Sequence, residues 1–267
     1  MILELLEYCL TPCSWRARRM GFLTSSIQVR ARYKRCRFEW MEHLEQTRAI
    51  ILKAAQLAPR RRKALVFGAG LLHDIPLRQL SEMFEQVVLA DLVHTWPCRL
   101  EALRFPNVKI LSCDATGAIQ ALAVVARRPG LPTPESRPVA FVDDPTLDFT
   151  VSVNLLSQLG WVPGVFLSKC RSPSQIEALK SQFVAAHLDY LKRLPGHTAL
   201  ITDTLWTEHP VAASASPLER WDVLSGVCLP EPEHAWDWNI APAPERSPLA
   251  HYVARVFAYT DWKSAAF

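Results

Sequence analysis

Residues 64–91, ALVFGAGLLHDIPLRQLSEMFEQVVLAD, constrain the fold of this chain more than any other stretch. Ala64, Leu65, Val66 and Phe67 form an apolar run suited to a buried strand. Gly68, Ala69 and Gly70 then let the backbone turn sharply with no large side chain blocking a ligand. Asp74 and Pro76 suit a helix start, one as N-cap and one in the opening turn. Leu77, Leu80 and Phe84 lie three or four apart and share one helical face. Val87, Val88, Leu89 and Ala90 form a second buried strand, closed by Asp91. Glycines in the first turn of a βαβ unit, with an acid about 20 residues on, are the arrangement that holds a nucleoside ligand. The turn's N–H groups face the ligand, and the acid accepts from ribose hydroxyls. The same residues also suit a structural role, with glycines seating strand on helix and a surface acid closing a strand.

The chain has 267 residues, 49% of them hydrophobic. That supports one large α/β domain with a short extra element, or two small domains. The net charge of +4 is a mild excess, so its distribution matters more than its total. Seven cysteines, an odd number with no Cys-x-x-Cys, argue against a disulfide framework and for a reducing compartment. Cys9 and Cys13 have no His or Cys cluster beside them, so no metal is expected. Glu4 and Glu7, without a basic lead-in, set the first residues apart from a signal peptide. No apolar stretch approaches the roughly 18 residues of a membrane helix. The expected setting is the cytoplasm, with no membrane insertion.

Residues 1–59 read as an N-terminal helical, basic extension and residues 60–267 as the main domain. Between Ser14 and Arg37 lie Arg16, Arg18, Arg19, Arg30, Arg32, Lys34, Arg35 and Arg37, with no acid among them. They form either the solvated face of a helical cap or a surface for phosphate, on nucleic acid or a small anion. Ser26 to Leu57 has helical composition, with Phe38, Trp40 and Met41 placed to bury against the main domain. Thr95 suits the cap of a helix running to about Arg104. Val108–Leu111 reads as a third strand with Asp114 just beyond it, and residues 118–127 as a helix. Pro129, Pro132, Pro134, Pro138 and Pro145 mark a surface loop with one short extended piece at Val139–Val142. Leu147–Val153 is a fourth strand, followed by Asn154 and Leu155. Ser174 with Glu177 reads as a capping box for a helix that stops before Pro195 and Gly196. Thr198–Thr202 is a fifth strand. Trp221–Cys228 and His251–Tyr259 read as two strands joined by a Trp- and Pro-rich excursion over Glu231–Pro248. The expected class is α/β: a Rossmann-like, doubly wound sheet of about seven strands. It is mostly parallel, with an antiparallel C-terminal strand pair and an N-terminal helical cap.

Five β/α units and a terminal strand pair resemble the class I S-adenosylmethionine-dependent methyltransferase fold, over roughly residues 60–260. The residues that carry the resemblance are Phe67 to Leu71, Asp91, Asp114 and Asn154, each after one of the first four strands. The resemblance implies S-adenosylmethionine as cofactor. Gly68, Ala69, Gly70, Leu71 and Asp74 would then flank its methionine part, with Asp91 and Leu92 at the ribose. Asp114 and Ala115 would lie at the adenine amino group, and Asn154 and Leu155 would face the methyl group and acceptor. The family usually has an acid two residues before the first glycine, where Val66 stands here, and a third glycine, where Leu72 stands. Asp74 either supplies the missing carboxylate or caps a helix. Asp114 equally suits a helix N-cap, and Asn154 a turn. GAGLLHDIPL followed by VVLADLVH also resembles a set of bacterial methyltransferase-like proteins, which brings no substrate with it.

The implied reaction is methyl transfer, in which the protein mostly aligns the reactants, so no catalytic residue is assigned. Asn154-Leu155-Leu156-Ser157 is not the Asn-Pro-Pro-aromatic signature that grips a nucleobase amine. No cysteine stands in the Pro-Cys context that attacks a pyrimidine. A small-molecule acceptor is the expected partner, with nucleic acid as a second possibility through the basic N-terminal segment. Its cover would come from the N-terminal helices, the segment after strand four and the excursion around Trp236. His94, Ser157, Trp236, Trp238 and Asn239 are the candidate substrate residues. A structural His94, and tryptophans that only pack the hairpin, are the competing readings. Two other functions use the same glycine turn and Asp91: an NAD(P)-dependent oxidoreductase and a non-catalytic nucleoside-binding or scaffold protein.

Overall fold

The computed structural model describes residues 2–128, 130–211 and 217–266, so Pro129 of the proline-rich loop lies outside the described residues. The chain opens with α1 (Ile2–Leu10), α2 (Trp15–Met20), α3 (Phe22–Arg35) and α4 (Met41–Leu57). Ser14 caps α2 by accepting the Ala17 N–H at 3.2 Å, and Gly21 separates α2 from α3 at φ 99°. The alternating units follow as β1 (Lys63–Phe67), α5 (Leu77–Met83), β2 (Gln86–Asp91), α6 (Trp96–Ala102) and β3 (Val108–Ser112). Then come α7 (Ile119–Val125), β4 (Leu147–Val153), α8 (Trp161–Leu167), α9 (Pro173–Arg193) and β5 (His197–Pro210). The chain closes with β6 (Glu219–Asp222), β7 (His234–Ala241) and β8 (Ala250–Tyr259).

One sheet runs in the order β3-β2-β1-β4-β5-β8-β7, with β6 on the far part of β5. β1 to β5 pair in parallel, and β8 runs antiparallel to both β5 and β7. This is the Rossmann-like, mostly parallel sheet with an antiparallel C-terminal pair that the sequence implies. β1, β2 and β4 are buried along almost their whole length because helices cover both faces, whereas the edge strand β3 is largely exposed. Ala64 and Val66 of β1 join Leu89, Val151 and Ile201 under α4 and α5. Leu65 and Phe67 join Val88 and Leu200 under α7 and α9. Phe149, fully buried at the centre of β4, contributes about 1.5–3 kcal/mol by leaving water. Leu77, Leu80 and Phe84 do share one buried face. No helix among the described residues is long and apolar enough to cross a membrane.

Several local expectations change. β7 lies inside the excursion expected to be a loop, and Trp221–Cys228 holds only the end of the short β6. In β7, Trp236, Trp238 and Ile240 are buried while Asp237 is exposed. That is the period-two pattern of a half-buried strand, which the surrounding prolines obscured. β5 runs on to Pro210 because β8 and β6 pair its second half. Val139–Val142 forms no strand and ends in a turn. Trp40 is buried as expected, whereas Phe38 and Met41 are 68% and 53% exposed. Asp74 caps no helix, since α5 starts at Leu77 with no side-chain cap.

The capping box also moves by two residues, to Ser172 and Gln175. Pro173 has no N–H to satisfy and fits the first helical position, so the residue before it becomes the cap. Glu177 instead pairs with Lys180. Urea denaturation of Ser172→Ala is expected to show a loss of about 1 kcal/mol, with Ser174→Ala within about 0.5 kcal/mol of wild type.

Candidate functional site

The order β3-β2-β1-β4 reverses direction between β1 and β4, and a crevice opens there at the carboxyl ends of the strands. Its cavity volume is about 170 Å³. Its floor is Phe67, Gly68, Gly70, Leu71 and Asp74 after β1, and Asp91 and Leu92 after β2. Asp114, Ala115, Thr116 and Ile119 close one side, and Asn154, Leu155 and Gln158 another. The cover is Phe22, Ser25, Ser26 and Val29 of α3, Trp40, His43 and Leu44 at α4, and Trp238 of β7.

Gly68 stands at φ 81°, and an added Cβ would lie 2.2 Å from the Val153 carbonyl oxygen. The bare backbone lets β1 turn directly against β4. At Gly70 an added Cβ would lie 2.9 Å from Asp91 Oδ2. That close approach lets Asp91 accept the Gly70 N–H at 3.0 Å through Oδ2 and the Val93 N–H at 3.2 Å through Oδ1. Burial lifts its carboxyl to about 6, against the pull of these N–H groups. Asp91 therefore ties the glycine turn to the end of β2 and also lines the cavity.

Asp114 spends its oxygens on the start of α7. Oδ1 accepts from the Thr116 N–H at 2.9 Å and hydroxyl at 2.7 Å, and Oδ2 from the Ile119 N–H at 2.9 Å. It borders the cavity while holding the helix entrance. Asn154 sits at φ 47°, and its Nδ2 lies 2.7 Å from Asp74 Oδ2 and 3.2 Å from His43 Nε2. Desolvation raises the Asp74 carboxyl above its ordinary range. His43 stacks on Trp238 with ring centres 3.9 Å apart, and Trp40 meets Trp238 edge-on at 4.8 Å. Burial drives the His43 imidazolium down to about 3, so the ring is neutral.

Five predicted site residues stand outside the cavity lining. Ala69 is buried, with its carbonyl accepting from Cys98 Sγ at 3.4 Å. His94 is 1% exposed in the interior, where burial lowers its imidazolium to about 4. Ser157 turns away to donate to Asp203. Trp236 is buried behind His43, donating to its Nδ1 at 3.1 Å, and Asn239 also lies off the cavity. Sequence reasoning missed His43, Trp40, His73 and the α3 residues. The available signal was His43 on the stripe His43, Thr47, Ile50, Ala54, a histidine on the apolar face of a helix.

The basic segment is largely engaged within the protein. Arg18 donates to the carbonyls of Tyr8 and Thr11, Arg30 pairs with Glu7, and Arg32 and Arg35 pair with Glu245. Tyr259 and Lys263 have Tyr-x-x-x-Lys spacing, but they donate to the carbonyls of Pro230 and Gly196, outside the cavity lining. Among the described residues no group of His, Cys, Asp and Glu is placed to hold a metal ion.

No protein-family model matches the chain. No curated protein matches it either. Solved structures similar to it include a Burkholderia thailandensis 1,6-didemethyltoxoflavin-N1-methyltransferase with bound 1,6-didemethyltoxoflavin and S-adenosylhomocysteine. The identity is 18%, over 94% of this chain and 92% of that one, at a TM-score of 0.38. DhpI in complex with SAH is similar at 12% identity over 86% and 93%, TM-score 0.36. The 23S rRNA methyltransferase ErmE is similar at 12% over 82% and 71%, TM-score 0.31. At these identities and TM-scores the likeness carries no weight for function.

Asp91→Ala orphans two backbone N–H groups. In denaturation it is expected to cost about 1–3 kcal/mol for each, before any ligand is added.

Proposed function

We propose that the protein binds S-adenosylmethionine in this cavity and transfers its methyl group to a small-molecule acceptor. The observation that carries the reading is the meeting of the glycine turn, Asp91 and Asn154 at one cavity over the carboxyl ends of β1, β2 and β4. Asp91 gives one lone pair of each oxygen to the backbone and keeps others for ribose hydroxyls. Gly68, Gly70, Leu71 and Asp74 would flank the methionine part, and Leu92 the ribose. Asp114 and Ala115 would border the adenine, with Asn154 and Leu155 on the acceptor side.

The cofactor's sulfonium would supply an activated methyl group. The protein's own work is then to align acceptor, methyl carbon and sulfur and to keep water out. Trp40, neutral His43 and Trp238 give the acceptor side an aromatic, uncharged wall. That wall favours an uncharged acceptor with an apolar or aromatic body. The intramolecular pairing of Arg18, Arg30, Arg32 and Arg35 argues against a nucleic acid strand at the same mouth. The proposed setting is a bacterial cytoplasm, with the seven free cysteines in support.

A second reading, a non-catalytic scaffold protein with the same fold, is favoured by one observation. Gly68, Gly70 and Asp114 each have a complete structural reason to be where they are. An oxidoreductase is disfavoured by the position of Tyr259 and Lys263 away from the crevice.

Titration calorimetry with S-adenosylmethionine, S-adenosylhomocysteine and NAD separates the three. The expected result is binding of both sulfur compounds and none of NAD. Binding of NAD alone would establish the oxidoreductase reading, and binding of nothing would leave a scaffold.

A further inference from the structure

Three separate stretches of the sequence, residues 8–38, 115–134 and 149–176, carry no Asp or Glu. The fold brings them together. α2 lies in the first, α7 in the second and α8 in the third, and α2 packs against both of the others. Arg16 of α2 and Arg127 just beyond α7 each place a guanidinium over the Trp15 ring, 5.1 and 5.4 Å from its centre. Arg19 of α2, Arg128 after α7 and Lys169 after α8 are exposed. Among the described residues none of these five cations pairs with a carboxylate. The bordering acids are engaged, Asp114 with the entrance of α7 and Glu177 with Lys180. Apolar side chains stand out on the same helices. Trp15 and Trp161 are 51% and 61% exposed, and Val124 and Val165 are exposed beside them in sequence. Trp161 and Val165 lie one turn apart and share the outer face of α8. Phe22 directly after α2, Ile119 opening α7, and Trp161 and Val162 opening α8 all line the crevice, so this face borders its mouth.

We infer that this face adsorbs to an anionic lipid surface, with its cations at the headgroup phosphates and its tryptophans and valines among the headgroups. Cations without acids complement an anionic leaflet, and tryptophan favours the boundary between lipid and water. Lasting adsorption needs both signals, charge and apolar area, and both are present. A second copy of this chain would bring the same positive face and be repelled. An RNA strand would match the charge, but it offers Val124 and Val165 no apolar partner. The Trp15 ring, on which a base would stack, is already met by two guanidiniums. The contact is adsorption and not insertion, since no helix among the described residues is long and apolar enough to span a bilayer. Adsorption stands without the methyl-transfer reading. Only its corollary, that an acceptor with an apolar body enters the crevice from the lipid side, rests on that reading.

Sedimentation of the full chain with vesicles tests the surface. The expected result is binding to vesicles of equal parts phosphatidylcholine and phosphatidylglycerol, and none to phosphatidylcholine alone. Raising salt from about 0.1 to 1 M shortens the screening length from about 10 to 3 Å and is expected to release the protein. Arg127→Ala is expected to weaken binding about fivefold, the worth of one cation near such a surface. Trp161→Ser, at unchanged charge, is expected to weaken it several-fold, and Arg220→Ala on the distant β6 to leave it unaltered. Absence of binding to the anionic vesicles, or equal binding to neutral ones, would overturn the inference. So would equal losses in Arg127→Ala and Arg220→Ala, which would reduce the effect to net charge. Displacement from the vesicles by a lower concentration of oligouridine RNA would overturn it in favour of a nucleic acid. Every reading is made without a methyl donor, so failure here and failure of the calorimetry are separate results.

Discussion

A single carboxylate organises the crevice. Asp91 Oδ2 holds the Gly70 N–H and Oδ1 holds the Val93 N–H, so the turn after β1 and the exit of β2 move as one piece. Gly70 lacks a Cβ where one would press on that carboxylate. Gly68 performs the matching task on the other side, where the backbone meets the Val153 carbonyl. Together they fix β2, β1 and β4 around one point, and Asn154 emerges there. A glycine turn and an acid 21 residues beyond its second glycine thus form one mechanical unit before any ligand arrives.

The cover is fixed to that unit by directed bonds. The Trp40 indole donates to the Ile240 carbonyl at 3.1 Å, joining the start of α4 to β7. Trp236 donates to His43, and His43 reaches Asn154. The N-terminal helices and the C-terminal strand pair therefore meet over the crevice. Trp238 lies between Trp40 and His43 and contributes its ring to the wall. A buried polar chain of this kind is worth its desolvation only when every donor finds an acceptor.

The parts of this architecture legible in the sequence are those governed by short-range rules. Val87 to Ala90 is a continuous apolar run, and Leu147 to Val153 alternates β-formers with Asp148, Thr150 and Ser152, so both read as strands from short-range pattern alone. β7 was hidden because its alternation, Trp236, Asp237, Trp238, Asn239, Ile240, sits among prolines that signal a loop. Its place in the sheet is decided by pairing with β8, a long-range fact. The site divides in the same way. Gly68, Gly70, Asp91, Asp114 and Asn154 come together because strand ends must. His43 was invisible as a site residue because its role depends on a helix from the other end of the chain crossing the crevice. Asp114 suits both a ligand and a helix entrance from spacing alone, and only the N–H groups of Thr116 and Ile119 decide how its oxygens are used.

The central claim is that this crevice cradles an adenosine between the glycine turn and Asp91. The most direct measurement is a crystal structure of the protein soaked with S-adenosylhomocysteine. The account requires the ribose hydroxyls within hydrogen-bonding distance of Asp91 and the sulfur on the Asn154 side. A crevice left empty at saturating ligand, or a nucleoside bound elsewhere with Asp91 untouched, would contradict it.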